Sequence, residues 1–276
     1  MCITAVAIDS HETYPFVMVF NRDETFERPT ESMHEWTEEM EGVIAGKDTY
    51  GGGTWLGVSK DGNYSCVTNF WEGGDLQAEF YSCPSQPIGN SEGYLTRGVL
   101  PLKVLKASSV ESELSQIWEN KSRYKSFNML AGNVKGEHFY FSVNRKTQCD
   151  GVHRLNSGIH CVSNIELNGY WTKIQEMRKN LENFLTSKPI FEPQELFCLL
   201  EDNRKFGFVR ENTDTESSIF VSPYKKTVFG ELSTIATVSS TVITLDKNST
   251  MKVIEKTWEK DHTNYSVKEF SFQVPN

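Results

Sequence analysis

The chain has 276 residues, of which 38% are hydrophobic. Its mean hydropathy is −0.46 and its formal net charge is −9. This acidic charge argues against binding to nucleic acids or to anionic membrane surfaces. No window approaches the roughly 20 apolar residues of a membrane span, and the first twenty residues lack the basic start of a signal peptide. We therefore expect an intracellular protein without a transmembrane segment, whose six scattered cysteines are reduced thiols.

The N-terminal part of the chain is rich in predicted strands. Two apolar runs, Ile3–Ile8 and Phe16–Phe20, flank a polar segment, which predicts a β-hairpin. The second run is apolar at every position, so it is expected to be covered on both faces. Glu31–Glu41 is predicted to be a loop with a short helical turn. Further strands are predicted at Val43–Gly46, Trp55–Ser59 and Tyr64–Phe70, the last two joined by a turn at Asp61-Gly62.

The rest of the chain alternates between helices and strands, after a long loop from Trp71 to Asn90. Four helices are predicted. The first spans Tyr94–Lys106, the second starts at a capping box at Ser108–Glu111, the third spans Thr172–Thr186, and the fourth starts at Pro193. Strands are predicted at Phe127–Gly132, His138–Val143, Gly158–Ser163, Ser218–Val221, Ser233–Val238, Thr241–Leu245, Met251–Trp258 and Tyr265–Val274. Many antiparallel strands with segregated helices favour an α+β layered sandwich, in one domain over residues 1–276 because no linker or repeat divides the chain.

Cys2 is the first candidate for chemistry. If the initiator methionine is removed, its α-amine, with a reference pKa of about 7.7–8.0, can act as base for a thiol of reference pKa about 8.5. The alternative is a small hydrophobic residue buried in the first strand. Symmetric pairing of the hairpin places Cys2 opposite Asn21, on the face that it shares with Asp23. A shift of one residue places Arg22 on that face instead.

The polar run Asn21-Arg22-Asp23-Glu24 ends an apolar strand. Burying these groups without partners is costly, so they are expected to be exposed or to satisfy one another. A guanidinium near a thiolate, and a carboxylate near an ammonium, favour the reactive forms of both groups. The alternative is an exposed charged turn.

Three further features are candidates for ligand binding. Gly51-Gly52-Gly53 has the backbone freedom to cradle a carboxylate or phosphate, although a tight loop before a buried strand is the favoured explanation. His153, His160 and Cys161 form the densest His/Cys group, but their spacing demands no metal. Nearby aromatic residues could line an apolar slot or anchor the core, and they are Tyr50, Trp55, Phe70, Trp71, Phe80 and Tyr81.

Motifs along the whole chain resemble those of the NRDE family, which includes proteins similar to transport and Golgi organisation protein 2. The motifs are Met1–Thr4, Asn21–Pro29, Gly52–Val58, Val67–Phe70, Phe127–Ala131 and Val162–Asn164. The family is itself similar to N-terminal-nucleophile (Ntn) hydrolases of the bile-salt-hydrolase type. This resemblance implies a four-layer αββα sandwich.

The resemblance also implies roles for individual residues. Cys2 is then the nucleophile with its own amine as base, Arg22 supports the thiolate and Asp23 supports the amine. Asn69 occupies the position of an oxyanion-hole donor, and Asn164 orients the surroundings of the nucleophile. For both asparagines, a bond to the local backbone at a strand end is the alternative.

One segment departs from the family pattern. Family members often carry Thr-Arg-Thr-Asn-Thr before a late strand, where this chain has Thr237-Val238-Ser239-Ser240-Thr241. An arginine and an amide that a hydrolase pocket uses are therefore absent from this segment.

Family members are implicated in haem trafficking and in lipid or acyl-CoA homeostasis, and are described as cytoplasmic or mitochondrial. The resemblance thus implies a protein that carries haem or an acyl-chain-like molecule, uses no catalytic cofactor, and meets partner proteins or organelle membranes transiently. An Ntn hydrolase that cleaves an amide or thioester is the alternative. His160 is the candidate for the haem iron. The residues expected to contact the ligand are Cys2, Asn21, Arg22, Asp23, Glu24, Gly52, Gly53, Trp55, Asn69, Phe70, Trp71 and Asn164.

Overall fold

The computed structural model describes residues 2–71, 93–145, 151–206, 218–228 and 231–275. The chain divides into two compact units. The first comprises Met1–Phe26 and Ser157–Gln273, and the second Glu27–Asn156 and Val274–Asn276. The expectation of one domain over residues 1–276 stays a prediction.

The first unit is built on an antiparallel sheet. Its strands are β1 (Ile3–Ile8), β2 (Phe16–Thr25), β10 (Gly158–Val162), β11 (Tyr224–Val228), β12 (Glu231–Leu245), β13 (Thr250–Trp258) and β14 (Tyr265–Gln273). The order across the sheet is β10-β1-β2-β12-β13-β14, with β11 paired to β12. β1 and β2 therefore both have a strand on each side, and every residue of Phe16–Phe20 is buried, as its continuous apolar sequence predicts.

Two helices of the first unit pack on this sheet. Helix α3 (Thr172–Ser187) contacts β10 and β1, and helix α4 (Phe197–Leu200) contacts β12 and β2 after a 3-10 turn at Pro193–Leu196. The apolar face predicted for α3 is buried, and its members are Ile174, Met177, Leu181 and Leu185.

The second unit holds the other antiparallel sheet, in the order β3-β4-β5-β6-β7-β8-β9. Its strands are β3 (Thr30–Glu35), β4 (Val43–Asp48), β5 (Leu56–Ser59), β6 (Asn63–Asn69), β7 (Phe127–Asn133), β8 (His138–Val143) and β9 (His153–Arg154). Helices α1 (Val99–Leu105) and α2 (Val110–Glu119) pack on this sheet and bury an apolar cluster that includes Leu100, Leu114 and Phe127. 3-10 turns lie at Glu38–Met40 and Lys121–Arg123.

Several predicted elements differ from the observed ones. The first part of Glu31–Glu41, predicted to be a loop with a short helical turn, belongs to edge strand β3, whereas a 3-10 turn does lie at Glu38–Met40. Only Met33 of β3 is buried, so the apolar signal of this strand is weak. Ser218–Val221 is not a strand. The amide of Val221 donates to the Thr237 hydroxyl and its carbonyl accepts from the Thr237 amide, so these groups do not take part in regular pairing between strands. The two strands predicted around Ser239-Ser240 are the single strand β12.

The helix predicted from Tyr94 begins only at Val99, because Leu95 bridges Tyr124 in the chain before it. Most of the predicted loop from Trp71 to Asn90, with Phe80 and Tyr81, lies outside the described residues. Within the described ranges, none of the helices has both the length and the apolar character needed to cross a membrane.

Candidate functional site

The hairpin register decides which residue faces Cys2. Ile8 pairs with Phe16 and Ile3 with Asn21, so continuing the register by one residue places Cys2 opposite Arg22. The symmetric expectation, with Cys2 opposite Asn21, was wrong by one residue, and the shifted alternative holds. Since strand side chains alternate, Arg22 points to one face of β2, and Asn21 and Asp23 point to the other.

The same register argument extends to the neighbouring strands. β1 pairs with β10 through Thr4 and Val162, which places Asn164 opposite Cys2. On the other side, Ser239 of β12 pairs directly with Arg22. With the register extended just beyond the ends of β1 and β10, Asn164, Cys2, Arg22 and Ser239 lie in a row on one face of the sheet. We name these four residues the Cys2 row.

Cys2 is partly buried and is held by two hydrogen bonds at its main chain and sulfur. The Ser163 hydroxyl donates to its carbonyl oxygen at 2.7 Å, and the main-chain amide of Asp23 donates to its sulfur. Burial raises the pKa of the Cys2 thiol, and the Asp23 carboxylate adds to the rise, while the Asp23 amide and the Arg22 guanidinium oppose it. The net effect favours the neutral thiol.

Asp23 faces the opposite side of the sheet, where it is 5% exposed. The Thr237 hydroxyl donates to its Oδ1 at 2.7 Å, and the ammonium of Lys173 acts on it electrostatically. Burial raises the pKa of Asp23, and the charge of Lys173 and the bond from Thr237 oppose this rise. Lys173 lies in the first turn of α3 and is 1% exposed, so the charge opposing Asp23 is itself buried.

Asn164 is buried in the Cys2 row, and its Oδ1 lies 3.2 Å from the Ser163 hydroxyl that holds the Cys2 carbonyl. The structure therefore places Cys2, Arg22 and Asn164 close together, with the main-chain amide of Asp23 at the Cys2 sulfur and the Asp23 carboxylate on the other face. The roles expected for these four residues stay predictions.

The other two residues of the polar run have local roles. The Asn21 amide donates to the carbonyls of Leu200 and Ile219 at 2.8 and 2.9 Å, and its Oδ1 accepts from Ser240 at 2.7 Å. Asn21 thus ties α4 and a bent segment to the sheet rather than lining the Cys2 row. Glu24 accepts a bond from the Thr25 amide at 2.9 Å.

Six of the predicted ligand contacts belong to the second unit. Trp55 is buried over Gly46, where an added Cβ would lie 2.3 Å from its ring. Phe70 is buried and Trp71 partly buried after β6, and Asn69 ends that strand opposite Phe127. For these side chains, a ligand-binding role stays a prediction, as does the oxyanion role of Asn69.

The glycine run in the second unit has a conformational explanation. Gly52 has a φ of +75° and its amide bonds the Asp48 carbonyl at 2.7 Å, which closes a turn. Gly53 lies against the main chain of Gly98, where an added Cβ would come within 2.2 Å. The carboxylate of Asp48 accepts from the Gly51 amide and pairs with Arg28 at 2.6 Å. These contacts favour the tight-loop interpretation of the glycines, and their role as an anion cradle stays a prediction.

His160 and its neighbours form no metal cluster in the parts of the chain that the structure describes. His160 pairs with Val6 in β1 and is partly buried, while Cys161 is fully buried. His153 lies exposed in β9 of the second unit. The role of His160 as an iron ligand stays a prediction.

Four contributors were missed in the sequence: Ser163, Lys173, Thr237 and Ser239. Ser163 precedes Asn164 directly, so the motif that identifies one also contains the other. Thr237 and Ser239 lie in the segment that departs from the family pattern, which the structure places beside β2, with a bulge at Val238. Nothing in the sequence identifies Lys173 as a buried residue of the site, because a lysine near the start of an amphipathic helix is normally exposed.

The family model described as Transport and Golgi organisation 2 matches residues 1–260. The chain belongs to this family. It is 30% identical over 187 residues to the Transport and Golgi organization protein 2 homolog of Homo sapiens, and 29% identical over 189 residues to the Transport and Golgi organization 2 homolog of Mus musculus. Each alignment covers 63% of this chain and 60% of the relative, so the match spans about three fifths of these family members.

A solved structure supports the fold. The C2A mutant of conjugated bile acid hydrolase from Clostridium perfringens aligns with a TM-score of 0.50 at 10% identity, covering 99% of this chain and 98% of that protein. With the two antiparallel sheets and their helices, this likeness confirms the α+β class and the Ntn-hydrolase-like fold. At this identity the likeness shows the fold alone.

Proposed function

We propose that this family member binds and transfers haem, or a related amphipathic ligand with an anionic end, at the Cys2 row. The observation that carries the proposal is the environment of the Ser239 hydroxyl. It is buried beside Arg22 and has no hydrogen-bond partner among the described residues. Buried polar groups are almost always satisfied, so we infer a partner for this hydroxyl outside the described residues, and we propose that it is the anionic end of the ligand.

The chemistry of the Cys2 row fits a ligand that is apolar with acidic ends. A guanidinium binds carboxylates such as the haem propionates, and the Ser239 hydroxyl next to it can donate to the same group. Cys2 is partly exposed in the same row, and a cysteine sulfur is an axial ligand of haem iron. The iron can take the thiol as thiolate because metal coordination removes its proton.

The protonation state of the thiol favours binding over nucleophilic attack. Reactive cysteines have a lowered pKa in electropositive surroundings, whereas burial raises the pKa of the Cys2 thiol. Val238 adds an apolar residue at the bulge beside Asp23 and Arg22. The names of the relatives refer to transport and Golgi organisation, and a carrier role agrees with that wording. We propose that this role belongs to lipid and haem homeostasis in the cytoplasm or mitochondrion.

A second function is favoured by how firmly residue 2 is held. Ser163 fixes its carbonyl and the Asp23 amide contacts its sulfur, which is the control of geometry that a nucleophile requires. If Met1 is removed, the free amine of Cys2 could serve as base in an Ntn hydrolase that cleaves an amide or thioester.

Haem titration of the purified protein, followed by its Soret band, tests the carrier proposal. We expect saturable binding at micromolar protein, and about tenfold weaker binding in R22Q and S239A because a charge-assisted bond to a carboxylate is lost. C2S should change the position of the Soret band of the complex. The matched controls are S266A, an exposed serine of β14, and C198S, an exposed cysteine. Absence of saturable binding, or equal affinity in all five variants, refutes the proposal.

Intact-mass analysis tests the second function. Retention of Met1 by the purified protein excludes it, because the methionine then acylates the amine that should act as base. Loss of Met1, together with burst release of an acyl-enzyme product that C2S abolishes, would support hydrolysis instead of transfer.

A further inference from the structure

A histidine outside the Cys2 row contacts the network that supports it. His262 lies in the turn between β13 and β14, and its Nε2 is 2.9 Å from the carbonyl oxygen of Thr237. Since a carbonyl oxygen only accepts, Nε2 carries the proton and donates. The other ring nitrogen, Nδ1, is buried and has no hydrogen-bond partner among the described residues.

Thr237 is held at every polar atom. Its amide donates to the carbonyl of Val221 at 2.9 Å, and its hydroxyl accepts from the Val221 amide at 2.9 Å and donates to Asp23 at 2.7 Å. Only its carbonyl remains, and His262 bonds it. Thr237 also stands where the ladder between β12 and β2 is interrupted by the bulge at Val238. A residue next to a bulge needs such contacts, because the regular pairing there is broken.

The His262 ring is fixed by its surroundings. It packs against Phe220, Trp258 and Phe26, with ring centroids 4.9, 5.7 and 5.8 Å away. Its φ of +54° is an uncommon backbone conformation for a residue other than glycine, so the turn places this ring at a conformational cost. Burial lowers the pKa of His262, against the opposing effects of its bond to Thr237 and of Asp261, so the ring donates as the neutral form at pH 7.

We propose that His262 is a positioning residue of the Cys2 site. It fixes Thr237, the hydroxyl of Thr237 holds the carboxylate of Asp23, and the main-chain amide of Asp23 donates to the Cys2 sulfur. The inference rests on the proposed function of that site. His262 lies just beyond residues 1–260, which match the family model, and is therefore not assigned by membership of the family.

A pH titration that follows the side-chain carboxyl carbon of Asp23 by NMR tests this chain of contacts. The charged or titratable groups that act on Asp23 are the N-terminal amine, Lys173 and Cys2, and none of the variants alters them. T237V should raise the pKa of Asp23 by about 1 because the bond to the carboxylate is lost. At a given pH, the ratio of carboxylate to carboxylic acid then falls about tenfold. H262F keeps an aromatic ring but loses the donor, so it should raise this pKa in the same direction by a smaller amount. H262Q can still donate and should lie near the wild-type value.

The double variant H262F/T237V separates positioning from packing. If His262 acts through Thr237, the double variant has the Asp23 pKa of T237V alone. An unchanged Asp23 pKa in H262F, or an independent further rise in the T237V background, overturns the proposal even if the melting temperature falls. The wild-type protein gives a test without variants, because nitrogen chemical shifts must show the Nε2–H tautomer of His262 at pH 7, and the opposite tautomer refutes the donation.

These outcomes are distinguishable from failure of the proposed function. The Asp23 titration uses no ligand, so it can succeed when haem does not bind. Conversely, haem binding in the wild type that is equally tight in H262F, with an unchanged Asp23 pKa, leaves the carrier proposal standing and removes His262 from it.

Discussion

Replacement of Lys173 by methionine tests the buried electrostatics under the Cys2 site. The lysine is 1% exposed and Asp23 is 5% exposed, so water screens neither charge well. K173M leaves the Asp23 carboxylate with the Thr237 bond but without the lysine charge, and breaking a buried charge interaction typically costs about 3–5 kcal/mol. We expect K173M to lower the free energy of unfolding by this amount, measured by urea denaturation at pH 7.

The pH dependence of this loss has a definite sign. Burial already raises the folded-state pKa of Asp23 above its unfolded value, so its contribution to stability is greatest at low pH and is lost as pH rises through the folded-state pKa. Without Lys173 that folded-state pKa rises further, because the lysine charge opposes the rise. K173M should therefore lose more stability at pH 8 than at pH 5.

Two further variants complete the test of the pair. D23N removes the carboxylate on which the lysine charge acts and should be similarly costly, whereas K173M/D23N should be clearly more stable than the sum of both losses predicts. K179M, at an exposed position of the same helix, is the matched control and should change stability by less than about 0.5 kcal/mol. Additive losses, or a K173M effect that does not depend on pH, would falsify the electrostatic explanation.

Two other substitutions test the positions that build the sheets. Asn21→Leu removes two bonds to main-chain carbonyls and one from Ser240, all buried, so we expect a loss of about 3 kcal/mol in urea denaturation. A loss below about 1 kcal/mol contradicts a structural role for Asn21. Gly53→Ala would force a Cβ into the main chain of Gly98 and should cost about 3 kcal/mol, whereas Gly52→Ala meets open space and should cost about 1 kcal/mol for its positive φ. Equal melting temperatures for the two alanine variants contradict the close approach.

Much of the fold follows from local patterns in the sequence. The opening hairpin and the apolar face of α3 were predicted because period-2 and period-3.6 patterns are strong when one or both faces are buried. Strand β3 was missed for the opposite reason, since a largely exposed edge strand needs few apolar residues. Ser218–Val221 has the composition of a strand, but contacts with Thr237 and Asn21 bend it, and such distant partners are not visible in sequence.

The candidate site was predictable only in part. Cys2, Arg22, Asp23 and Asn164 were identified from motifs, and the register then showed that Arg22 rather than Asn21 faces Cys2. A one-residue difference in pairing exchanges the two faces of a strand, and the length of the connecting loop does not settle it. Lys173 and His262 could not be predicted, because their roles depend on burial against residues far away in the chain.

The haem titration of wild type, S239A and S266A tests the central claim most directly. If the Cys2 row holds the anionic end of an amphipathic ligand, the wild type and S266A bind haem saturably with equal affinity, and S239A binds about tenfold more weakly. Saturable binding that is as tight in S239A as in S266A would place the ligand elsewhere, and no saturable binding at micromolar protein would contradict carriage of haem by this protein.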